Sequence, residues 1–256
     1  MSSSDKLRWI PLESNPEVFN KWAQRAGLIT AQDSFSDVYG LDDDLLALVP
    51  HPTKAVILLF PDVPDAKKHQ KEEDARISVQ GSQPHLDPTI FYVRQKISNA
   101  CGTIALIHAL ANSDVSWAPH SALHNFIIEG QEKTPEERAE ILQNRTLFFN
   151  IHAESAQEGQ SAANIDTDLH FTCFVSAPDA KFRKIASGEM PAEPQTTAGS
   201  ELRLIELDGR RPGPIDHGAC TDLLKDVANL VKQRYLSQTE SVYFNLMSLG
   251  PTIPDD

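Results

Sequence analysis

Gln95-Lys-Ile-Ser-Asn-Ala-Cys101-Gly-Thr-Ile-Ala-Leu106 is the stretch around which the rest of the chain arranges itself. A cysteine follows a Ser-Asn turn signal and opens an apolar run. Ile104, Ile107, Leu110 and Ala111 recur there at helical spacing. That places the sulfur at a helix N-terminus, where unpaired backbone N–H groups and the macrodipole favour thiolate over thiol. A thiolate attacks carbonyl carbons. Gln95, six residues upstream, has an amide N–H to offer the oxyanion that such an attack creates. A lone Cys-Gly at a helix start is more often structural than catalytic, because Cys is among the most buried residue types. Partners elsewhere in the chain have to decide.

Two candidates follow in sequence. Leu169-His-Phe-Thr-Cys-Phe-Val175 alternates, so Leu169, Phe171, Cys173 and Val175 share one strand face while His170, Thr172 and Phe174 take the other. His170 can accept or share the thiol proton, although a strand histidine is usually a satisfied polar residue. Leu202-Arg-Leu-Ile-Glu-Leu207 is a second strand, ended by Asp208-Gly209. Asp208 can orient an imidazole or serve only as a turn residue. The order Gln, Cys, His, Asp is that of papain-like thiol hydrolases, but triads recur in unrelated orders.

Around these segments, Asn15 caps a helix that starts at Pro16 and stops at Gly27. Leu41 to Leu48 is a short amphipathic helix, Val56 to Phe60 a buried strand, and residues 62 to 84 a charged surface segment. Phe91-Tyr-Val93 leads into the Cys101 helix. Thr134 and Glu137 form a capping box. A helix over Val227 to Leu236 and a last strand over Val242 to Met247 follow. Asn150 to Asp168 is a long small-residue loop. Pro178 to Ser200 has a short helix around Phe182 and Ile185, then a flexible composition. Helices and strands mix without strict alternation, so an α+β arrangement with mainly antiparallel pairing is expected.

The composition narrows the function classes. The chain has 256 residues, 40% hydrophobic and 23% charged, values ordinary for a globular core. A formal charge of -13 argues against nucleic acid and suits a basic partner or simple solubility. The longest apolar run, Ala55 to Phe60, is strand-length and stopped by Pro61, so no membrane role is expected. The N-terminal residues carry no apolar signal-peptide core. Cysteines at 101, 173 and 220 have no CxxC spacing, and their odd count fits a reduced, cytoplasmic or nuclear compartment. Cys173 reads as core and Cys220 has no assigned role. His108, on the Cys101 helix, reads as structural. His120 and His124 have the spacing of a zinc pair but no third ligand beside them, so no metal or other cofactor is expected.

Four blocks of local sequence carry a resemblance to a known family. They are Arg8-Trp-Ile-Pro-Leu-Glu13 with Asn15-Pro-Glu17, Phe35-Ser-Asp-Val-Tyr-Gly-Leu-Asp42, and Gln95 to Ile104. The fourth is Asp168-Leu-His-Phe171 with Glu206-Leu-Asp-Gly-Arg210 and Ile215-Asp-His-Gly218. From residue 8 to about 247 the chain resembles the ubiquitin carboxyl-terminal hydrolases, small cysteine peptidases that cleave at the C-terminal glycine of ubiquitin. The resemblance implies an α/β, papain-like fold of the α+β kind: a central antiparallel sheet flanked by helices, a knotted chain, and one catalytic domain over residues 1–256. It implies Cys101 as nucleophile, His170 as general base and acid, Asp208 as the group orienting the imidazole, and Gln95 as oxyanion donor. It makes residues 150–168 a crossover loop that admits small or unstructured leaving groups rather than compact ubiquitin chains.

Ubiquitin's tail is basic and ends in two glycines, so a narrow acidic channel is expected; the resemblance implies Asp37 as an acid that contacts ubiquitin, with Leu12, Ser155 and Ala156 as further contacts. Asp37 equally suits a turn near Gly40. Residues 178–200 exceed the short turn of the family's small members and are expected to form a surface excursion. Ser241 stands where a relative has an acid that assists ubiquitin binding, which leaves preference between ubiquitin and a ubiquitin-like modifier open. No long extension follows residue 256, so the larger proteasome-associated branch is not expected. A monomer is. A noncatalytic ubiquitin-binding protein of the same fold is the competing reading, and the presence of Gln95, Cys101, His170 and Asp208 together speaks against it.

Overall fold

The computed structural model describes residues 9–62, 70–75, 86–160, 167–186, 188, 201–239 and 241–254. Its strands are β1 (Asp33–Asp37), β2 (Ala55–Pro61), β3 (Leu169–Pro178), β4 (Leu202–Leu207), β5 (Ile215–Ala219) and β6 (Asn245–Pro251). They form a single sheet in the order β1-β6-β2-β3-β4-β5, and every pairing is antiparallel. The helices are α1 (Pro16–Ala26), α2 (Asp43–Leu46), α3 (Cys101–Ala111), α4 (Ala122–Gly130) and α5 (Pro135–Asn144). They continue with α6 (Thr146–Ala156), α7 (Ala180–Ala186) and α8 (Leu223–Arg234). The chain is an α/β protein built on an antiparallel sheet, as the sequence implies.

Both faces of the sheet are covered, which explains why its central strands carry few polar positions. Ile57, Cys173, Ile205, Leu207, Met247 and Leu249 turn to one face and pack with Trp22, Leu106, Leu110 and Phe126 from α1, α3 and α4. Val56, Leu58, Phe174, Leu204 and Leu246 turn to the other, against Leu224, Val227 and Val231 of α8. The alternation of β3 thus divides residues between two cores rather than between core and solvent. His170 and Thr172 share the α8 side with Phe174 and are buried.

Local chemistry sets several helix ends. The Asn15 side chain accepts from the Glu17 backbone N–H at 2.8 Å. Gly27 closes α1 at φ 117°, a left-handed conformation that glycine adopts without Cβ strain. On α5, Glu137 N–H donates to Thr134 Oγ1 at 3.2 Å, and Thr134 N–H donates to Glu137 Oε2 at 2.7 Å. Thr134→Ala is expected to cost about 1 kcal/mol, read as a lower urea midpoint at unchanged slope. An unchanged midpoint would mean that this helix end does not contribute to global stability.

The structure corrects several boundaries. Asn150 to Asp168 is not a loop throughout, because α6 continues to Ala156. Phe148, Ile151, His152 and Ser155 recur at helical spacing and are buried, with Phe148 stacked on Trp22 at 6.5 Å. Residues 161–166 of the expected crossover loop, and residues 187 and 189–200 of the expected surface excursion, lie outside the described residues. The 41–48 helix is shorter, Asp43–Leu46. The last helix begins earlier, at Leu223, because Asp222 caps it by accepting from Lys225 N–H at 3.2 Å. The last strand begins at Asn245 rather than Val242, where Val242 and Tyr243 are exposed. Strands β1 and β5 and helix α4 have no counterpart in the sequence reading.

Candidate active site

Helix α3 runs across the sheet with its first residue, Cys101, beside β3. Ala100 precedes it without a side-chain cap, so no side-chain oxygen competes for the first N–H groups. Asn99 turns the chain into the helix at φ 62° and donates from Nδ2 to the Trp9 carbonyl at 3.1 Å. A left-handed non-glycine residue next to a reactive side chain marks a site that the surrounding structure holds in place. Cys101 is 7% exposed and lies at the wall of a groove.

The β3–β4 ladder ends at Cys173 opposite Leu207, and Asp208 follows immediately, beside the His170 end of β3. His170 Nε2 lies 2.8 Å from Asp208 Oδ1. Both residues are 2% exposed. The carboxylate accepts, so Nε2 carries the proton and Nδ1 is left for the thiol. Nδ1 is buried and has no hydrogen-bond partner at full geometry, while the Cys101 thiol interacts with the ring. Loose nucleophile–base contacts are usual before substrate binds.

Electrostatics favours charge separation across this pair. Burial pushes the Cys101 thiol up, but the bonding and charge of His170 outweigh it and hold the thiol below its ordinary value. Burial pushes His170 down, yet the Asp208 charge and hydrogen bond, with the sulfur, raise it to about 9. Burial would raise Asp208, but His170 and the Arg210 backbone N–H, 2.9 Å from Oδ1, keep it a carboxylate. Thiolate and imidazolium are therefore the mutually stabilised pair.

Gln95 reaches this neighbourhood less directly. Its backbone N–H donates to Gly209 O at 2.8 Å, and Nε2 donates to Ile97 O at 3.1 Å. Oε1 is buried without a partner. One Nε2 hydrogen remains for an oxyanion. Gly209 permits this packing, since a Cβ there would sit 2.8 Å from Ile104 Cγ2 and 3.1 Å from Gln95 Cβ.

Cys101 opens into a groove of about 410 Å³ lined by Leu12, Glu13, Ala156, Phe171, Arg210 and Tyr243, among others. Leu12 and Ala156, two of the expected contacts, line this groove. Ser155 does not: it is fully buried, its hydroxyl accepting from Arg25 at 3.2 Å. One residue is a 100° turn on α6, so Ala156 faces the groove while Ser155 faces α1. Among the described residues lining the groove, Glu13 is the acidic one and Arg210 the basic one. Asp37 lines a neighbouring depression of about 450 Å³ with Tyr39 and Leu236, which shares Phe244 and Asn245 with the groove. Ser241 accepts from the Tyr243 N–H at 3.2 Å, a local turn contact.

Two features escape sequence reading. Arg210 pairs with Asp62 at 2.8 Å and adds positive charge near the sulfur. Behind the His170–Asp208 pair, buried Glu206 accepts from Tyr235 at 2.7 Å, Thr172 at 3.2 Å and His217 at 2.8 Å. Tyr235 packs edge-on against Phe60 at 4.9 Å, and Phe60 against His170 at 5.5 Å. The Glu206-x-Asp208 spacing on one strand face is the available signal for this second layer. Cys173 is core, with burial pushing its thiol well up, and Cys220 is pushed up to about 12 by burial and Asp226.

The chain that carries this arrangement has known relatives. The family model for ubiquitin carboxyl-terminal hydrolase, family 1, matches residues 9–236. The chain belongs to that family. It is 37% identical over 247 residues to the ubiquitin carboxyl-terminal hydrolase of Drosophila melanogaster, covering 95% of this chain and 97% of the relative. Ubiquitin carboxyl-terminal hydrolase 3 of Arabidopsis thaliana is 35% identical over 252 residues, with 97% and 96% covered. The human isozyme L1 is 31% identical over 243 residues, with 93% and 96% covered. Among solved structures, the Trichinella spiralis UCH37 catalytic domain bound to ubiquitin vinyl methyl ester superposes with a TM-score of 0.68 at 22% identity, covering 96% of each chain. That likeness is one of fold.

Proposed function

We propose that this protein is a thiol-dependent deubiquitinating hydrolase, cleaving amide, ester or peptide bonds at the C-terminal glycine of ubiquitin. The observation that carries the reading is the buried Cys101, His170 and Asp208 arrangement, with Nε2 bonded to the carboxylate and Nδ1 left for the sulfur. Family membership supplies the substrate.

The Cys101 thiolate adds to the carbonyl carbon of the terminal glycine, and the carbonyl electrons become an oxyanion facing the Cys101 N–H and Gln95 Nε2. Collapse breaks the C–N bond as the His170 imidazolium gives its proton to the departing amine. A thioester remains. His170 then takes a proton from water, whose oxygen attacks the thioester, and the C–S bond breaks to return the thiolate. Asp208 keeps the imidazole oriented and stabilises its charged form. Ala156, Gly159 and Thr167, on either side of residues 161–166, line the groove, which supports an extended tail and a small or unstructured leaving group. The enzyme acts as a monomer, in a reducing cytoplasmic or nuclear setting that keeps its cysteines as thiols.

The test is covalent labelling with ubiquitin bearing a C-terminal vinyl methyl ester, followed by peptide mapping. An adduct on Cys101, lost in His170→Ala, is expected. Tight ubiquitin binding without an adduct would favour a noncatalytic binding role. Labelling by a ubiquitin-like probe alone would move the substrate to that modifier.

A further inference from the structure

Asp208 lies past the end of the β3–β4 ladder, so no strand pairing fixes its peptide. It opens the turn Asp208-Gly-Arg-Arg211, closed by Arg211 N–H donating to Asp208 O at 2.9 Å. The turn lies in the short 208–214 connection between β4 and β5, where Gln95 N–H donates to Gly209 O at 2.8 Å and the Arg94 guanidinium to Arg211 O, and a shift of its Asp208 end would carry the carboxylate with it. A shift of 1 Å at a reacting geometry can cost about 10²-fold in rate.

A buried tyrosine holds this turn from the opposite side. Tyr92 is 1% exposed, and its hydroxyl lies 2.6 Å from Asp208 O and 2.5 Å from Arg211 O. One O–H proton is thus shared between both carbonyls of the turn. The ring stacks on His108 of α3, with centroids 5.1 Å apart and planes 14° from parallel. His108 is fully buried and bonded at both nitrogens: Nε2 accepts from Val93 N–H at 2.9 Å, and Nδ1 lies 3.1 Å from Leu207 O. An N–H donor at Nε2 fixes the proton on Nδ1, which donates to Leu207. Burial pushes His108 down to about 4, so it is neutral at working pH and its tautomer is constant.

These contacts join three pieces of the site. His108 is seven residues after Cys101, two turns along the same helix face. Val93 is two residues before Gln95, and Leu207 is one before Asp208. We propose that Tyr92 is a positioning residue for Asp208, its hydroxyl fixing the Asp208–Arg211 turn against the Cys101 helix through the stacked His108 ring. This rests on the triad reading above. It adds a residue that touches neither substrate nor the reacting atoms.

Tyr92→Phe removes the hydroxyl and keeps the stacked ring. The expected result is a kcat lower by about tenfold, below the ~10²-fold limit for a 1 Å displacement, with KM for a ubiquitin C-terminal fluorogenic amide unchanged. The alkaline limb of the kcat/KM profile should fall by at least roughly 0.5 pH unit, since a displaced carboxylate stabilises the imidazolium less.

A second readout needs no ubiquitin. The pH midpoint for alkylation of Cys101 by iodoacetamide, mapped by mass spectrometry, should rise in the variant. A lower melting temperature with wild-type pH limbs in both assays would overturn the proposal and leave Tyr92 a packing residue. If the wild-type protein failed to cleave the amide while the alkylation midpoint still moved, the substrate reading would fail and the positioning role would stand. Should Tyr92→Phe fold too weakly, His108→Gln, which removes the stacked ring but keeps a donor toward Leu207, carries the same comparison.

Discussion

A Cys101→Ala variant should lose turnover of ubiquitin C-terminal amides by a factor on the order of 10⁴ or more, the scale seen when a nucleophile that works as part of a unit is removed. Its affinity for ubiquitin should change little. The loss is large because no other thiol can substitute. Cys173 is sealed in the core and Cys220 is buried, and burial raises both thiols above their ordinary value. Binding should survive because removing one sulfur from a 7% exposed side chain leaves the groove walls, from Leu12 and Glu13 to Tyr243, in place. Single-turnover kinetics beside calorimetric titration with ubiquitin separates the two effects. Residual turnover above a hundredth of wild type would remove Cys101 as the nucleophile.

The second large effect concerns Asp208→Asn, which keeps shape and removes charge. A rate loss of roughly 10³–10⁴-fold is expected, the range for loss of the orienting carboxylate in a triad. The pH dependence is more diagnostic than the size. In the wild type, reaction needs thiolate and imidazolium together. The acid limb therefore reports the depressed Cys101 thiol, and the alkaline limb reports His170 near 9. The Asp208 charge raises His170, so its removal lets the imidazolium lose its proton at lower pH and moves the alkaline limb down. Less imidazolium also stabilises the thiolate less, so the acid limb moves up. The window in which both charged forms coexist narrows from both sides. A rate loss with unmoved limbs would mean that Asp208 acts by shape alone.

The two variants also show how much of the site was legible from residue order. Asn15, Pro16 and Gly27 specify a helix because capping and left-handed turn chemistry act within a few residues. The Thr134–Glu137 box is equally local. The alternation of 169–175 correctly divides its side chains because a strand's period of two is a backbone property. Errors arise where burial depends on distant partners. Asn150 to Ala156 reads as loop from its small and polar residues, yet it is helical because Phe148 and Ile151 find the apolar side of α1. Ser155 was a reasonable groove contact until the rotation of α6 turned it toward Arg25. Strand β1, Asp33-Ser-Phe-Ser-Asp37, is polar by composition and becomes a strand by pairing with β6, more than 200 residues away in the chain.

The sequence alone determined which groups could do the chemistry: a cysteine at a helix start, a strand histidine, an aspartate at a strand end, and a glutamine upstream. These are identities and short-range spacings, and they carry the family with them. Only the tertiary structure decided how those groups meet. The antiparallel register brings His170 to Asp208 at 2.8 Å, and the lie of α3 brings Cys101 within reach of the His170 ring. Burial makes the charges of the pair interdependent, and Tyr92 and His108 tie the aspartate turn to the nucleophile's helix. Pairing register, helix rotation and burial each depend on contacts far apart in the chain, and local spacing holds no record of them.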